Sequence, residues 1–202
     1  TVEKDRGETA EAAAERLRRL PLGWELKDML AGIAVVSKYV CGAENHGVTK
    51  EATTRMKRQV ELAIRGPYHQ ARAAELPWTV VLKGERSDPE QALAIRAFQT
   101  VVRILKKRPQ LWETFRTVWE RRDEWVLLPL ARGPVQRLAE LMSRWGWQWA
   151  DPFRIRLPGG RPMRLLQDST DWICSRVQEA IRDEILGRLK KRRKRREDLA
   201  GL

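Results

Sequence analysis

Apolar positions recur along most of this chain at three- and four-residue steps, the period of one helix face, and Pro or Gly interrupts each series. The pattern predicts an Ala-rich helix over residues 9–20, capped by Thr9, with Leu17 and Leu20 on one side and Pro21 and Gly23 breaking it. Leu22, Leu26, Leu30, Ile33 and Val36 or Val40 mark a second helix ending near Gly42. Thr49 caps a third, whose stripe of Ala52, Met56, Val60, Ala63 and Ile64 stops at Gly66-Pro67. Residues 68–87 are less regular, and the short apolar run Trp78–Leu82 suits either a strand or a helical turn.

A stronger start signal follows. Asp88-Pro89-Glu90-Gln91 offers an N-cap, a first-turn Pro and a Gln three residues after the cap. The helix it opens carries Leu93, Phe98, Val101, Val102 and Leu105 and ends before Pro109. Leu111, Phe115, Val118 and Trp119 line a further helix to about Glu124, and an apolar connector, Trp125–Leu130, follows. Gly133-Pro134 then starts a helix with Val135, Leu138, Leu141, Met142 and Trp145, closed by Gly146. At Phe153 the period changes to two. Phe153, Ile155 and Leu157 alternate with Arg154 and Arg156, Pro158-Gly159-Gly160-Arg161 turns the chain, and Met163-Arg164-Leu165 resumes the alternation. That is a short β-hairpin with basic outward positions. A last helix opens at 168–171 and repeats Ile173, Val177, Ile181, Ile185 and Leu189. The expected fold is mainly α: a helical bundle over 1–128, then a smaller helix–β-hairpin–helix unit over 129–202, with no repeat at a fixed period.

Charge narrows the choice of partners. The 202 residues hold 40 Lys+Arg against 27 Asp+Glu, a net of +13. Eight basic and two acidic residues fall in 188–202, so nearly half of the excess lies in Arg188, Lys190, Lys191, Arg192, Arg193, Lys194, Arg195 and Arg196. Such a run either contacts phosphates, serves as a nuclear address, or is the solvated end of a helix. Two isolated Cys, Cys41 and Cys174, exclude a disulfide framework. No apolar run reaches the roughly 18 residues of a membrane span. The first residues lack the apolar block of a secretory signal, and the chain starts at Thr1 rather than Met, as a fragment or processed product would. The expectation is an intracellular, nuclear protein whose partners are polyanions and not membranes.

Catalytic patterns are missing. His46 sits in a Glu-Asn-His-Gly turn and His69 follows Pro67-Tyr68; neither has a partner nucleophile nearby in sequence. Cys41 and His46 lack a second ligand pair for zinc. Gly159-Gly160 is no phosphate loop, and the pairs Asp123-Glu124 and Glu197-Asp198 lie in charged rather than apolar strand context. No catalytic residue, metal site or cofactor is expected.

Binding chemistry is present. Trp145-Gly146-Trp147-Gln148-Trp149 sets three indoles within five residues, beside Arg144, Arg154 and Arg156. Aromatics beside cations suit a single-strand platform, in which bases stack on rings while Arg and Lys hold phosphates. Trp147 and Trp149 are the candidate stacking residues; the alternative is that they pack the hairpin against the preceding helix. Arg154, Arg156, Arg161 and Arg164 are candidates for phosphate contact on the solvent side of the hairpin. Lys106-Lys107-Arg108 ends the helix begun at Asp88, where cations also complement the helix dipole. No base-reading helix-turn-helix or zinc finger is evident.

Several local strings resemble a known family. Arg18-Arg19-Leu20-Pro21-Leu22 leads into a helix followed by Tyr39-Val40-Cys41-Gly42-Ala43-Glu44. This is similar to the segment after the polymerase palm in non-LTR (LINE-type) retrotransposon reverse transcriptases. Tyr39 is separated from Gly42 by two residues where the family has one or none. Similar, too, are Leu76–Leu82, Lys83–Pro89, Gly133-Pro134-Val135, Trp145–Trp149 and Arg195–Leu202. The resemblance implies that residues 9–65 are thumb-like, gripping template–product nucleic acid, and that residues from about 66 onward form the post-polymerase connector. The family's paired palm aspartates have no counterpart here. It therefore implies a non-catalytic part of an RNA-directed DNA polymerase, binding RNA and/or DNA largely without sequence preference, with the rest of the polyprotein as its partner. The alternative from another class is a helical protein-interaction module with a nuclear-targeting basic tail; a third is a degraded enzyme relic.

Overall fold

The computed structural model describes residues 2–43, 48–66, 78, 87–122, 124, 133–158 and 160–200, with the backbone alone at 2–4 and 192–200. The architecture is mainly helical, with a small antiparallel sheet and a C-terminal helix, as the periodicity predicts. Helix α1 spans Val2–Arg19, and Ala10, Ala13, Ala14 and Leu17 face inward along it. Thr9 is not its cap. The helix begins seven residues earlier, and the Thr9 hydroxyl donates to the Asp5 carbonyl (2.8 Å), a mid-helix bond that replaces the capping role. Packing against α4 (Lys50–Arg65), with Arg55 on Glu11 at 2.8 Å, carries α1 through Gly7 despite that residue's poor helix propensity.

The second helical stretch departs from its expected face. α2 (Trp24–Leu30) runs into a π-helical turn, Ala31–Val36, and then α3 (Ser37–Val40). A π turn holds an extra residue, so the inward stripe rotates. Ala31, Val35, Val36 and Tyr39 are buried, whereas Leu26, Met29 and Ile33 are 50%, 47% and 57% exposed. A simple 3.6-residue pattern places Leu26 and Ile33 inside, and the structure puts them outside.

α4 follows expectation. Thr49 accepts the Ala52 N–H (3.2 Å), Met56, Val60, Ala63 and Ile64 are buried, and Gly66 ends the helix at φ +79°. The helix α5 (Pro89–Lys107) also opens as predicted: Asp88 accepts the Glu90 N–H (2.9 Å) and the Gln91 amide (3.3 Å). What the stripe did not reveal is that α5 is buried on two sides. Leu93 belongs to an apolar cluster with α1, Ala31–Tyr39 and α4, while Ala94, Phe98, Val101, Val102 and Leu105 belong to a second cluster. The two clusters part along α5.

Beyond Arg108 come a 3-10 turn, Pro109–Leu111, then α6 (Trp112–Glu120) and α7 (Pro134–Trp145). Gly146 closes α7 in the left-handed conformation (φ +63°), and the Trp147 N–H reaches back to the Met142 carbonyl (2.9 Å). The Trp-rich segment continues as a strand. β1 (Gln148–Asp151) pairs with β2 (Arg154–Arg156), which pairs with β3 (Met163–Arg164), so the expected hairpin is two strands of a three-stranded sheet. α8 (Thr170–Ala200) closes the second cluster with Ile173, Val177, Ile181 and Ile185. Of the irregular stretch around Trp78–Leu82, only Trp78 is described, and it is buried in the first cluster. The connector Trp125–Leu130 lies outside the described residues.

Candidate nucleic-acid interface

The sheet divides its residues by alternation. Ile155, Leu157, Met163 and Leu165 point into the second cluster, and Gln148, Arg154, Arg156 and Arg164 point to solvent. Register then sets the spacing of the cations. Arg154 lies across from Arg164 on β3 and from Asp151 on β1, and Arg156 lies across from Gln148. Like charges opposite one another in antiparallel strands oppose pairing, and opposite charges favour it. The outward face thus keeps an excess of cations that its carboxylates only partly offset.

Asp168 anchors this face from the side. Its carboxylate is 7% exposed and accepts the Arg164 N–H at 2.7 Å. The guanidinium groups of Arg161 and Arg164 lie 3.7 and 3.6 Å from Oδ1. The Lys106 ammonium donates to the Asp168 carbonyl at 2.6 Å. The Asp168 carboxylate therefore gathers two cations and its backbone carbonyl a third, joining two basic sets that are over fifty residues apart in sequence, the end of α5 and the hairpin. Arg161 is further fixed with its guanidinium 4.3 Å over the Trp172 ring, a cation–π contact. The hairpin's outward arginines were legible from alternation. The convergence of Lys106 on Asp168 was not, because it depends on how α5 meets the turn before α8.

Trp147 and Trp149 do not offer their faces to a base. Each is 5% exposed, and the stacking expectation is corrected on that ground. Trp147 lies 4.7 Å from Trp145 and 6.4 Å from Phe98 between ring centroids. Trp149 lies 6.2 Å from Phe115, and its indole N–H reaches the Pro152 carbonyl at 3.3 Å. Burying such large rings between sheet and helices is worth more than any exposed platform they could form. The alternative weighed from sequence, packing of the sheet against the helices, is what the geometry shows.

The terminal cations occupy the far end of α8. Arg188 is exposed and 3.5 Å from Glu184, and Lys190 and Lys191 are exposed. The backbone stays helical through Arg192, Arg193, Lys194, Arg195 and Arg196, whose side chains lie outside the described residues. His46 and His69 lie outside them as well. Among the described residues no three His, Cys, Asp or Glu come together as a metal site, and no helix is long and apolar enough to cross a membrane.

Strongly perturbed titratable groups sit elsewhere, where α4, α5 and α7 meet. Lys57 bridges Asp88 (3.1 Å) and Glu90 (3.2 Å), and Arg144 closes on the other Glu90 oxygen at 2.5 Å. Burial pushes the Asp88 carboxyl up, with Lys57 opposing. For Glu90 burial also acts upward, but the Lys57 and Arg144 charges outweigh it and hold the carboxyl below its ordinary value. Burial works against the Lys57 ammonium, yet the two carboxylates together raise it. Both Asp88 oxygens are already engaged, Oδ1 by the Glu90 N–H and Oδ2 by Lys57 and Gln91, so this network ties helices together and holds no idle base.

No family model, curated protein or solved structure matches this chain.

Proposed function

We propose that this chain is a non-catalytic nucleic-acid-binding segment, gripping RNA or DNA through the outward face of its sheet and the basic end of α8. The observation that carries this is the face-to-face placement of Arg154 and Arg164, with Arg161 and Lys106 gathered beside them by Asp168. Asp151 and Asp168 set two carboxylates against the five cations Lys106, Arg154, Arg156, Arg161 and Arg164, and a phosphate backbone supplies the remaining anions. The resemblance to LINE-type reverse transcriptases supplies a context, in which the chain is the thumb and post-polymerase part and phosphoryl transfer belongs to a palm carried elsewhere in the polyprotein. Nuclear residence would follow from that role and from the Lys190–Arg196 run.

Anisotropy titrations with single-stranded RNA and duplex DNA over a range of salt concentrations test the proposal. Affinity should fall with a log–log slope of about 0.7–0.9 per phosphate neutralised. Weak binding that is unchanged between low and high salt refutes it. A second reading, a helical protein-interaction module, draws on the exposed stripe Leu26, Met29 and Ile33. A stable oligomer or a co-purifying protein, without nucleic-acid binding, would favour that reading.

A further inference from the structure

The two basic surfaces stand at opposite ends of one rigid element. α8 begins beside the first: Trp172 carries Arg161 on its ring, and Asp168, four residues before Trp172, gathers Arg161, Arg164 and Lys106. The second starts at Lys190, where seven consecutive cations occupy 190–196. Lys190 lies eighteen residues after Trp172 along the helix, a span of about 27 Å at 1.5 Å per residue. Ile173, Val177, Ile181 and Ile185 pin the intervening length against the core, so that span cannot collapse.

The stretch between the poles is not basic. Residues 170–189 contain three cations and four carboxylates. Arg176 is paired with Glu179 and Arg188 with Glu184, each one helical turn apart. Beyond Ile185, Leu189 packs against the core among the described residues, and the backbone stays helical over 190–200. At 3.6 residues per turn, seven consecutive positions come round to every side of a helix. A polyanion that runs from the first pole along α8 therefore reaches basic positions at 190–196 on whichever side of the helix it lies.

We infer that the two poles form one bivalent site for a nucleic-acid duplex lying along α8, with a minimum length set by the distance between them. This rests on the nucleic-acid reading above and adds the duplex as its substrate class. At 3.4 Å of rise per base pair, spanning the poles takes about 8 base pairs. A shorter duplex touches one pole at a time, and a longer one gains the effective-concentration advantage of a second, intramolecular contact.

The test uses the full chain and DNA stem-loops with stems of about 5 and about 16 base pairs, closed by a non-nucleotide linker. At equal salt, the long stem should bind at least about tenfold more tightly than the short one, after correction for the number of binding registers. Replacing Arg154, Arg156 and Arg164 by Gln, or the seven cations at 190–196 by Gln, should each abolish that excess while leaving short-stem affinity within about threefold. Thermal unfolding of both variants shows whether the fold is kept; if the first unfolds, R154Q/R156Q alone serves the same comparison. Affinity that rises smoothly with phosphate number, or an excess that survives removal of either pole, overturns the bivalent site while leaving nucleic-acid binding intact. Absence of salt-dependent binding to either stem overturns both.

Discussion

Replacing Arg154 by Thr separates a residue held for binding from one held for the fold. Its partners across the sheet are Arg164, whose charge is partly offset by Asp168 at 3.6 Å, and Asp151, while no ion pair within 4 Å of Arg154 is found among the described residues. Removing Arg154 relieves the like-charge placement opposite Arg164 and gives up the opposite-charge placement across from Asp151, each an effect of about 0.2–1 kcal/mol. The two oppose one another and both lie near water, so stability should change by no more than about 0.5 kcal/mol. For a chain of this size that is a shift in Tm of no more than roughly 2 °C. Any electrostatic part of it should shrink at about 1 M salt, where the Debye length falls to about 3 Å. Binding should weaken, with the slope of log affinity against log salt falling by about 0.9 for the lost phosphate contact. Urea denaturation at two salt concentrations and an anisotropy titration give the two readouts. A variant that keeps the wild-type salt slope, or that loses much more than about 0.5 kcal/mol of stability, would refute the assignment of Arg154 to an anion rather than to the fold.

The remaining expectations concern the framework that holds the face in place. Lys57→Met leaves Asp88 buried without its cation and should cost about 3 kcal/mol in denaturant unfolding; K57M/D88N should recover part of that loss, and strict additivity would refute the coupling. The Lys57 pKa is raised in the fold, so its contribution is complete below the ordinary value of 10.5 and is lost as pH climbs through the raised value. The wild type should therefore lose more stability than K57M on that alkaline side. Glu90, held down, contributes above the ordinary carboxylate value of 4.5 and loses its contribution as pH falls, so E90Q should flatten the acid arm of the stability profile. Trp149→Phe gives up the indole bond to Pro152 and should cost about 1 kcal/mol more than Trp147→Phe, which removes a buried N–H without a partner. Ile33→Ser should change stability by no more than about 0.5 kcal/mol while Val35→Ser costs about 2 kcal/mol or more; the reverse order would refute the π-turn register.

Much of the local structure was legible because its causes are local. Thr49, Asp88-Pro89 and Gly146 specify helix ends by hydrogen bonds and backbone angles that involve only their neighbours. The alternation through Phe153–Leu157 put the arginines on the outside for the same reason, since a strand's faces are fixed by its own pleat. Where the sequence misled, a distant partner decided. Thr9 looked like a cap until packing against α4 extended α1 past it, and Leu26 and Ile33 looked like core until one π turn rotated the stripe.

The Trp-rich segment shows the same division at the candidate site. Three indoles beside arginines are compatible with a platform or with a core, and composition cannot choose between them. β1 chose, by pairing with β2 and turning Trp149 onto Phe115. The sequence by itself determined a helical chain with a basic hairpin and a basic end, because periodicity, capping and charge are properties of short windows. Only the tertiary structure set Arg154 opposite Arg164, brought Lys106 to Asp168 and held two basic poles apart along α8. Those are distances between residues far apart in the chain, fixed by register and by the packing of α5 against α8 rather than by any local preference.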